Sequence, residues 1–148
     1  MAEPIEIRFE GHNGSVLSLA VEGYSHPQSE DYWDGNWVKS RINVAVGGFN
    51  GDVRGDLRLD EFQHLLDELK ILQKTLDRKV IFTTTELWFE FKIEGDNLGH
   101  LEFQGTLWGY WNADNLLQFT FQSDQTYLSN PIKQLETVLS HFPIKGRP

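Results

Sequence analysis

Alternating apolar and polar residues run through the first part of the chain and predict antiparallel strands. Residues 5–10 and 15–22 both alternate in this way, and the pair Asn13-Gly14 separates them. Alternation is typical of strands with one buried face, and Asn-Gly between two strands is a strong hairpin signal. A third strand is predicted from Trp37 to Val46, and a glycine-rich turn then leads to a fourth at 53–59.

Two segments instead show the helical repeat of apolar residues. The clearer one is Asp60 to Leu76, where we expect Asp60 to cap the helix and Gln63 to complete a capping box. The second opens at Asn130-Pro131 and ends before Pro143. The apolar stripe of the first helix, predicted to pack on the sheet, is formed by Phe62, Leu65, Leu66, Leu69, Leu72 and Leu76.

The segment from Leu87 onward returns to alternation and predicts a second β block with a definite register. A loop closed by Gly95 and Gly99 would set Phe91 opposite Phe103 and Lys92 beside Glu102. The same reasoning for the next strand places Phe121 beside Gly105, so that a large ring lies over a glycine. This register satisfies the apolar and charge pairing together, and a slip of one residue would reverse both faces.

These elements together predict an α+β fold. We expect an antiparallel β-sheet meander of about six or seven strands, with one central amphipathic helix and a C-terminal helix. The length of 148 residues fits a single domain, 1–148, with a frayed tail at 143–148.

Composition limits the classes of function. The chain has no cysteine, its first residues lack the pattern of a signal peptide, and no apolar run approaches the ~20 residues of a membrane span. These features favour a cytoplasmic protein without a membrane partner. The net charge of -9 argues against direct nucleic-acid binding, which needs a basic surface, and suits a basic partner.

No catalytic or metal-binding pattern emerges from the residues, so we expect neither an enzyme nor a cofactor. The five histidines occur singly, without the spacing of a zinc site. Asp31 and Asp34 form the one pair of carboxylates considered as an acid/base pair. Turn and capping roles explain both more simply.

Aromatic residues are the other candidates for a binding site. Trp33 and Trp37 lie in the stretch Asp31–Val38, and we expect both chiefly to brace the fold. In the predicted register Trp88, Trp108 and Tyr110 face away from the core, where a helix or loop would cover them or a ligand would bind. The candidate binding residues are therefore Asp31, Trp33, Asp34, Trp37, Trp88, Trp108 and Tyr110.

Three motifs in order along the chain carry a family resemblance. They are Asp31-Tyr-Trp-Asp-Gly-Asn-Trp-Val38, Gly48-Phe-Asn-Gly51 and Asp124-Gln-Thr-Tyr-Leu128. With them the chain resembles the WapI-type immunity protein family, small bacterial proteins that neutralise the toxic domain of a contact-dependent toxin. The resemblance implies a non-catalytic protein that binds a cognate toxin domain, and the acidic charge would suit a basic one such as a nuclease. The alternative is a small-molecule or carbohydrate-binding module that uses the aromatic cluster.

Overall fold

The computed structural model describes residues 3–109 and 114–148, which form two four-stranded antiparallel sheets with the strands in sequence order. The first sheet contains β1 (Ile5–Glu10), β2 (Val16–Tyr24), β3 (Trp37–Val46) and β4 (Phe49–Arg58). The second contains β5 (Lys79–Thr83), β6 (Phe89–Gly95), β7 (His100–Trp108) and β8 (Leu116–Asp124). The helices are α1 (Tyr32–Gly35), α2 (Leu59–Thr75) and α3 (Ser129–His141), and short 3-10 turns occupy His12–Gly14 and Gln125–Tyr127.

The two halves of the chain repeat one arrangement, four strands followed by a long helix. Each long helix packs against the first strand of the other half, α2 against β5 and α3 against β1, and the two helices contact each other. On α3, Gln134 accepts a hydrogen bond of 2.7 Å from the backbone N–H of Arg8, a residue of the edge strand β1. The helices therefore cover strand edges that would otherwise be open to pairing.

The core lies between the inner faces of the two sheets. The ring of Phe9 on β1 lies 5.5 Å from that of Phe91 and 5.6 Å from that of Phe103 on the second sheet. Phe62, Leu65, Leu66, Leu69 and Leu72 of the predicted stripe are buried, which confirms that α2 packs by its apolar face. Leu76 is only half-buried, because the helix ends at Thr75 and Leu76 is its left-handed C-cap.

The α+β class is confirmed, whereas the expected single meander of six or seven strands is wrong. There are two sheets of four strands, because α2 interrupts the chain between β4 and β5 and each half builds its own sheet. The helix also starts one residue early. Glu61, and not Gln63, accepts the capping bond from the Arg58 backbone N–H at 3.0 Å, while Asp60 binds the Arg58 side chain.

The predicted register of the second sheet is wrong by two residues. Phe91 pairs with Gly105, Ile93 with Phe103, and Lys92 with Gln104, while Phe119 rather than Phe121 lies beside Gly105. Within β6, from Phe89 onward, and within β7 the faces are nevertheless as predicted, because a two-residue shift preserves the alternation of side chains. Leu87, predicted on the core face, lies before β6 and is exposed. The shift follows from the loop after Gly95, where the Asp96 carboxylate accepts hydrogen bonds from the N–H groups of Leu98 and His100.

Candidate functional site

The connection between β2 and β3 distinguishes the first half of the molecule from the second. It spans residues 25–36 and contains α1, whereas the equivalent connection between β6 and β7 spans only 96–99. Asp31 caps α1, because its carboxylate accepts hydrogen bonds from the N–H groups of Trp33 at 2.9 Å and Asp34 at 3.0 Å. The capping role predicted for Asp31 is therefore present.

Arg58 at the end of β4 holds this connection in place. Its guanidinium donates to the carbonyl oxygens of Trp33 at 2.5 Å and Tyr32 at 3.0 Å, and to Asp60 at 2.8 Å. The same group lies 5.4 Å from the ring centres of Tyr32 and Trp33 and 5.1 Å from that of Trp37, which is within cation–π range. Arg58 is only 3% exposed, so its side chain is surrounded by these protein groups and not by solvent.

The C-terminal segment contacts the other side of the connection. The side chain of Asn36, which is fully buried, donates to the Lys145 carbonyl at 2.9 Å and accepts from the Lys145 N–H at 2.8 Å. The Lys145 ammonium donates to the Ser29 carbonyl at 2.8 Å and lies 4.0 Å from the Tyr24 ring centre. These bonds fix the backbone of the connection that contains Trp33.

Carboxylates surround this region. Glu30, Asp31 and Asp34 are exposed on the connection, and Asp60 and Glu61 begin α2. Glu61 also accepts a hydrogen bond of 3.1 Å from the Thr85 hydroxyl. Burial raises the pKa of the Glu61 carboxyl, and the hydrogen bonds from Arg58 and Thr85 oppose that shift. These contacts join the connection, the start of α2 and the turn after β5 into one surface.

Two large apolar side chains project from that surface. Trp33 is 59% exposed, and Leu87, in the turn after β5, is 69% exposed. Leu87 also has a positive φ of 58°, a costly conformation for a residue with a branched side chain. We call the region formed by Glu30, Asp31, Trp33, Asp34, Asp60, Glu61, Glu86 and Leu87 the acidic aromatic surface.

The predicted site residues separate into two groups. Asp31, Trp33, Asp34 and Trp37 come together around Arg58, with Trp37 half-buried and Trp33 exposed. Trp88 does not belong to this group and is only 4% exposed. Its ring packs on β4 at Gly55, where an added Cβ atom would lie 2.6 Å from the ring. The predicted outward position of Trp88 is therefore wrong, because the turn at Leu87 delays the start of β6 until Phe89.

The other two predicted residues do not extend this group. Trp108 is half-buried at the end of β7 and packs against the core. Tyr110 lies outside the described residues. Sequence reasoning missed Arg58, since an arginine that ends a strand beside Asp60 resembles an ordinary solvated residue. Its position directly before the helix, opposite Trp37 in the register, is the signal that could have identified it.

Neither a metal site nor a membrane span is visible in the described parts of the chain. No cluster of three or more metal-binding side chains occurs within residues 3–109 and 114–148. None of the helices described over the same residues has the length and apolar character to cross a membrane.

Comparison with known protein families identifies the family to which the chain is similar. The model of the immunity protein WapI-like family matches residues 8–143. No curated protein matches the chain.

Two solved structures share the fold. One is MRP1/MRP2 of Trypanosoma brucei, with a TM-score of 0.53, 10% identity, and coverage of 95% of this chain and 86% of that chain. The other is a guide-RNA-binding protein complex bound to a gRNA, with a TM-score of 0.52, 11% identity, and coverage of 95% and 92%. At such low identity the likeness concerns the fold alone.

Proposed function

Because the chain belongs to the WapI-like immunity protein family, we propose that it protects a cell by binding and blocking a cognate toxin domain, without catalysing a reaction. The observation that supports this function is the match to the family model over nearly the whole chain. As the binding region we propose the acidic aromatic surface.

The chemistry of that surface favours a basic partner. It combines six carboxylates with the buried guanidinium of Arg58, whose charge is already balanced by Asp60. Trp33 adds a large exposed ring on a backbone that Arg58 and Asp31 hold in place. An aromatic anchor in the centre and charges around it are the features that give protein interfaces affinity and rapid association. A toxin domain that binds nucleic acid would present the matching basic surface.

RNA binding, which is described for one of the two structural neighbours, is not part of the function proposed for this chain. Binding phosphates requires free basic side chains, and the net charge here is -9. On the outer face of the first sheet, Arg8, Arg41 and Arg54 each form an ion pair with a carboxylate. The charges of these three arginines are thus already balanced by carboxylates.

Co-expression with the toxin domain encoded beside the gene tests the function. Cells should survive when both proteins are made, and the two should elute together from a sizing column at low salt. Death of the cells despite soluble protein, without any complex, would show that this is not the immunity protein of that toxin.

A substitution with a matched control tests the surface. Trp33→Ala should weaken the complex by about thirtyfold, the effect of losing a central aromatic anchor. Phe49→Ala is the control, because Phe49 is an equally exposed aromatic residue on β4 outside the surface. If Phe49→Ala weakens the complex and Trp33→Ala does not, the partner binds elsewhere while the immunity function stands.

A further inference from the structure

A groove crosses the outer face of the second sheet, on elements that do not form the acidic aromatic surface. Its volume is about 570 Å³, and all four strands contribute to its lining. The floor includes the backbone of Gly105, and the walls are polar. The side chains that carry the argument are Lys92, Glu90, Gln104, Thr106, Gln118 and Thr120.

The polar groups of this face differ from those of the first sheet. There, arginines are paired with carboxylates across strands, as Arg54 is with Glu22 at 2.8 Å. In the groove, by contrast, neither Lys79 nor Lys92 forms an ion pair within the described part of the chain. The Gln104 amide donates to the Glu102 carboxylate, whereas the side chains of Lys92, Thr106, Gln118 and Thr120 form no side-chain hydrogen bond among the described residues.

The arrangement of these groups is regular. Gln104 pairs with Thr120 and Thr106 with Gln118 in the register of β7 and β8, so amides and hydroxyls form two adjacent rows. Lys92 lies beside Gln104 and Glu90 beside Thr106 on the neighbouring strand β6. The groove thus offers donors and acceptors side by side, with one charge of each sign near its centre.

We propose that this groove binds a neutral oligosaccharide. A sugar hydroxyl both donates and accepts hydrogen bonds, so it can use the lysine, the glutamate, the amides and the threonines together. A chain of phosphates would instead meet the Glu90 carboxylate. Ile81, 51% exposed in the lining, provides apolar contact for the C–H face of a ring.

Titration of the intact protein with cello-, malto- and chito-oligosaccharides, followed by amide chemical shifts, tests the proposal. At least one of these ligands should shift the resonances of residues 104–106 and 118–120. Absence of any shift with all three series, or shifts confined to other regions, would overturn the assignment. Binding of single-stranded polyuridylate to the same residues in place of the sugars would also overturn it.

A double substitution provides the second test. Gln104→Ala combined with Gln118→Ala should weaken binding of the responding sugar about tenfold, since each removes a hydrogen bond. Asn50→Ala is the control, an exposed amide on the first sheet, and should bind as the wild type does. Thermal unfolding of both proteins verifies that they are folded. Unchanged affinity in a folded double variant would contradict the proposed groove.

Discussion

The Arg58 guanidinium donates a 2.5 Å hydrogen bond to the carbonyl oxygen of Trp33 and lies 5.4 Å from the centre of the Trp33 ring. A buried residue of β4 thus fixes the backbone of a residue whose own ring faces solvent. An anchor that is already ordered loses less conformational entropy when a partner binds. This relationship joins the stability of the fold to the proposed binding surface.

Replacing Arg58 should therefore destabilise the protein more than replacing a surface arginine. Arg58→Ala leaves two carbonyl groups and Asp60 without their donor, and we expect a loss of about 2–3 kcal/mol in the free energy of unfolding. Arg54→Ala on the same strand removes an exposed ion pair with Glu22 and should cost less than about 1 kcal/mol. Urea unfolding measures both, and equal losses would contradict the structural role of Arg58.

Gly105 should not tolerate a side chain. A Cβ atom there would lie 2.4 Å from the Phe119 ring and 2.8 Å from the Glu90 carbonyl, so Gly105→Ala should cost about 1–3 kcal/mol through overpacking. Gly48→Ala is the matched control, because nothing lies within 4 Å of its Cβ position. Chemical denaturation should separate the two variants clearly, and a neutral Gly105→Ala would show that Phe119 lies elsewhere.

Thr84 carries a hydroxyl that the fold does not use. The residue is 3% exposed, and its Oγ1 has no hydrogen-bond partner among the described residues. Thr84→Val keeps the shape and removes the buried polar atom, so stability should rise by about 1 kcal/mol. Thr84→Ser keeps the hydroxyl, loses the methyl group and should be less stable than the wild type. A destabilised Thr84→Val would indicate that the hydroxyl has a bound partner.

Asp124 should contribute to unfolding in acid. The hydroxyl of Thr126 is the main cause of the lowered pKa of the Asp124 carboxyl, followed by the Thr126 N–H, and His12 adds to it. A lowered pKa means that this stabilisation is present above the carboxyl's unfolded value and is lost as the pH falls through the folded one. Urea melts at decreasing pH should show a shallower loss for Asp124→Asn and a smaller effect for Thr126→Val, which keeps the backbone N–H and His12 as partners of the carboxylate. An unchanged slope in both variants would contradict this contribution.

The sequence predicted strands and helices well because periodicity reports which face is buried. Trp37–Val46 is a strand with the predicted bounds, and Phe62, Leu65 and Leu69 are buried as expected. Register is different, since shifts of two residues leave every side chain on its face. The loop after Gly95 sets the register, and the end of α2 helps to hold that loop, because the Leu76 carbonyl accepts from the Asn97 N–H at 2.8 Å and would lie 2.3 Å from a Cβ atom at Gly95. The alternation of apolar and polar residues along β6 cannot predict that contact.

At the candidate site, too, local interactions could be predicted from the sequence and long-range contacts could not. The capping role of Asp31 could be predicted from its position before an aromatic turn, because capping is a local interaction. The contact with Arg58 joins residues 25 positions apart and depends on the pairing of β3 with β4. Trp88 was misplaced because the left-handed conformation of Leu87 is uncommon outside glycine and is not indicated by its residue type.

The rate of association with the toxin domain, measured against salt concentration, tests the central claim most directly. Attraction between an acidic surface and a basic partner weakens as the Debye length falls from ~10 Å at 0.1 M to ~3 Å at 1 M salt. We predict that association slows steeply over this range while dissociation changes little. Asp34→Lys should slow association at low salt, and Asp67→Lys, an exposed site on α2, should slow it less. Association that is independent of salt, and equal in both variants, would contradict binding through the acidic aromatic surface.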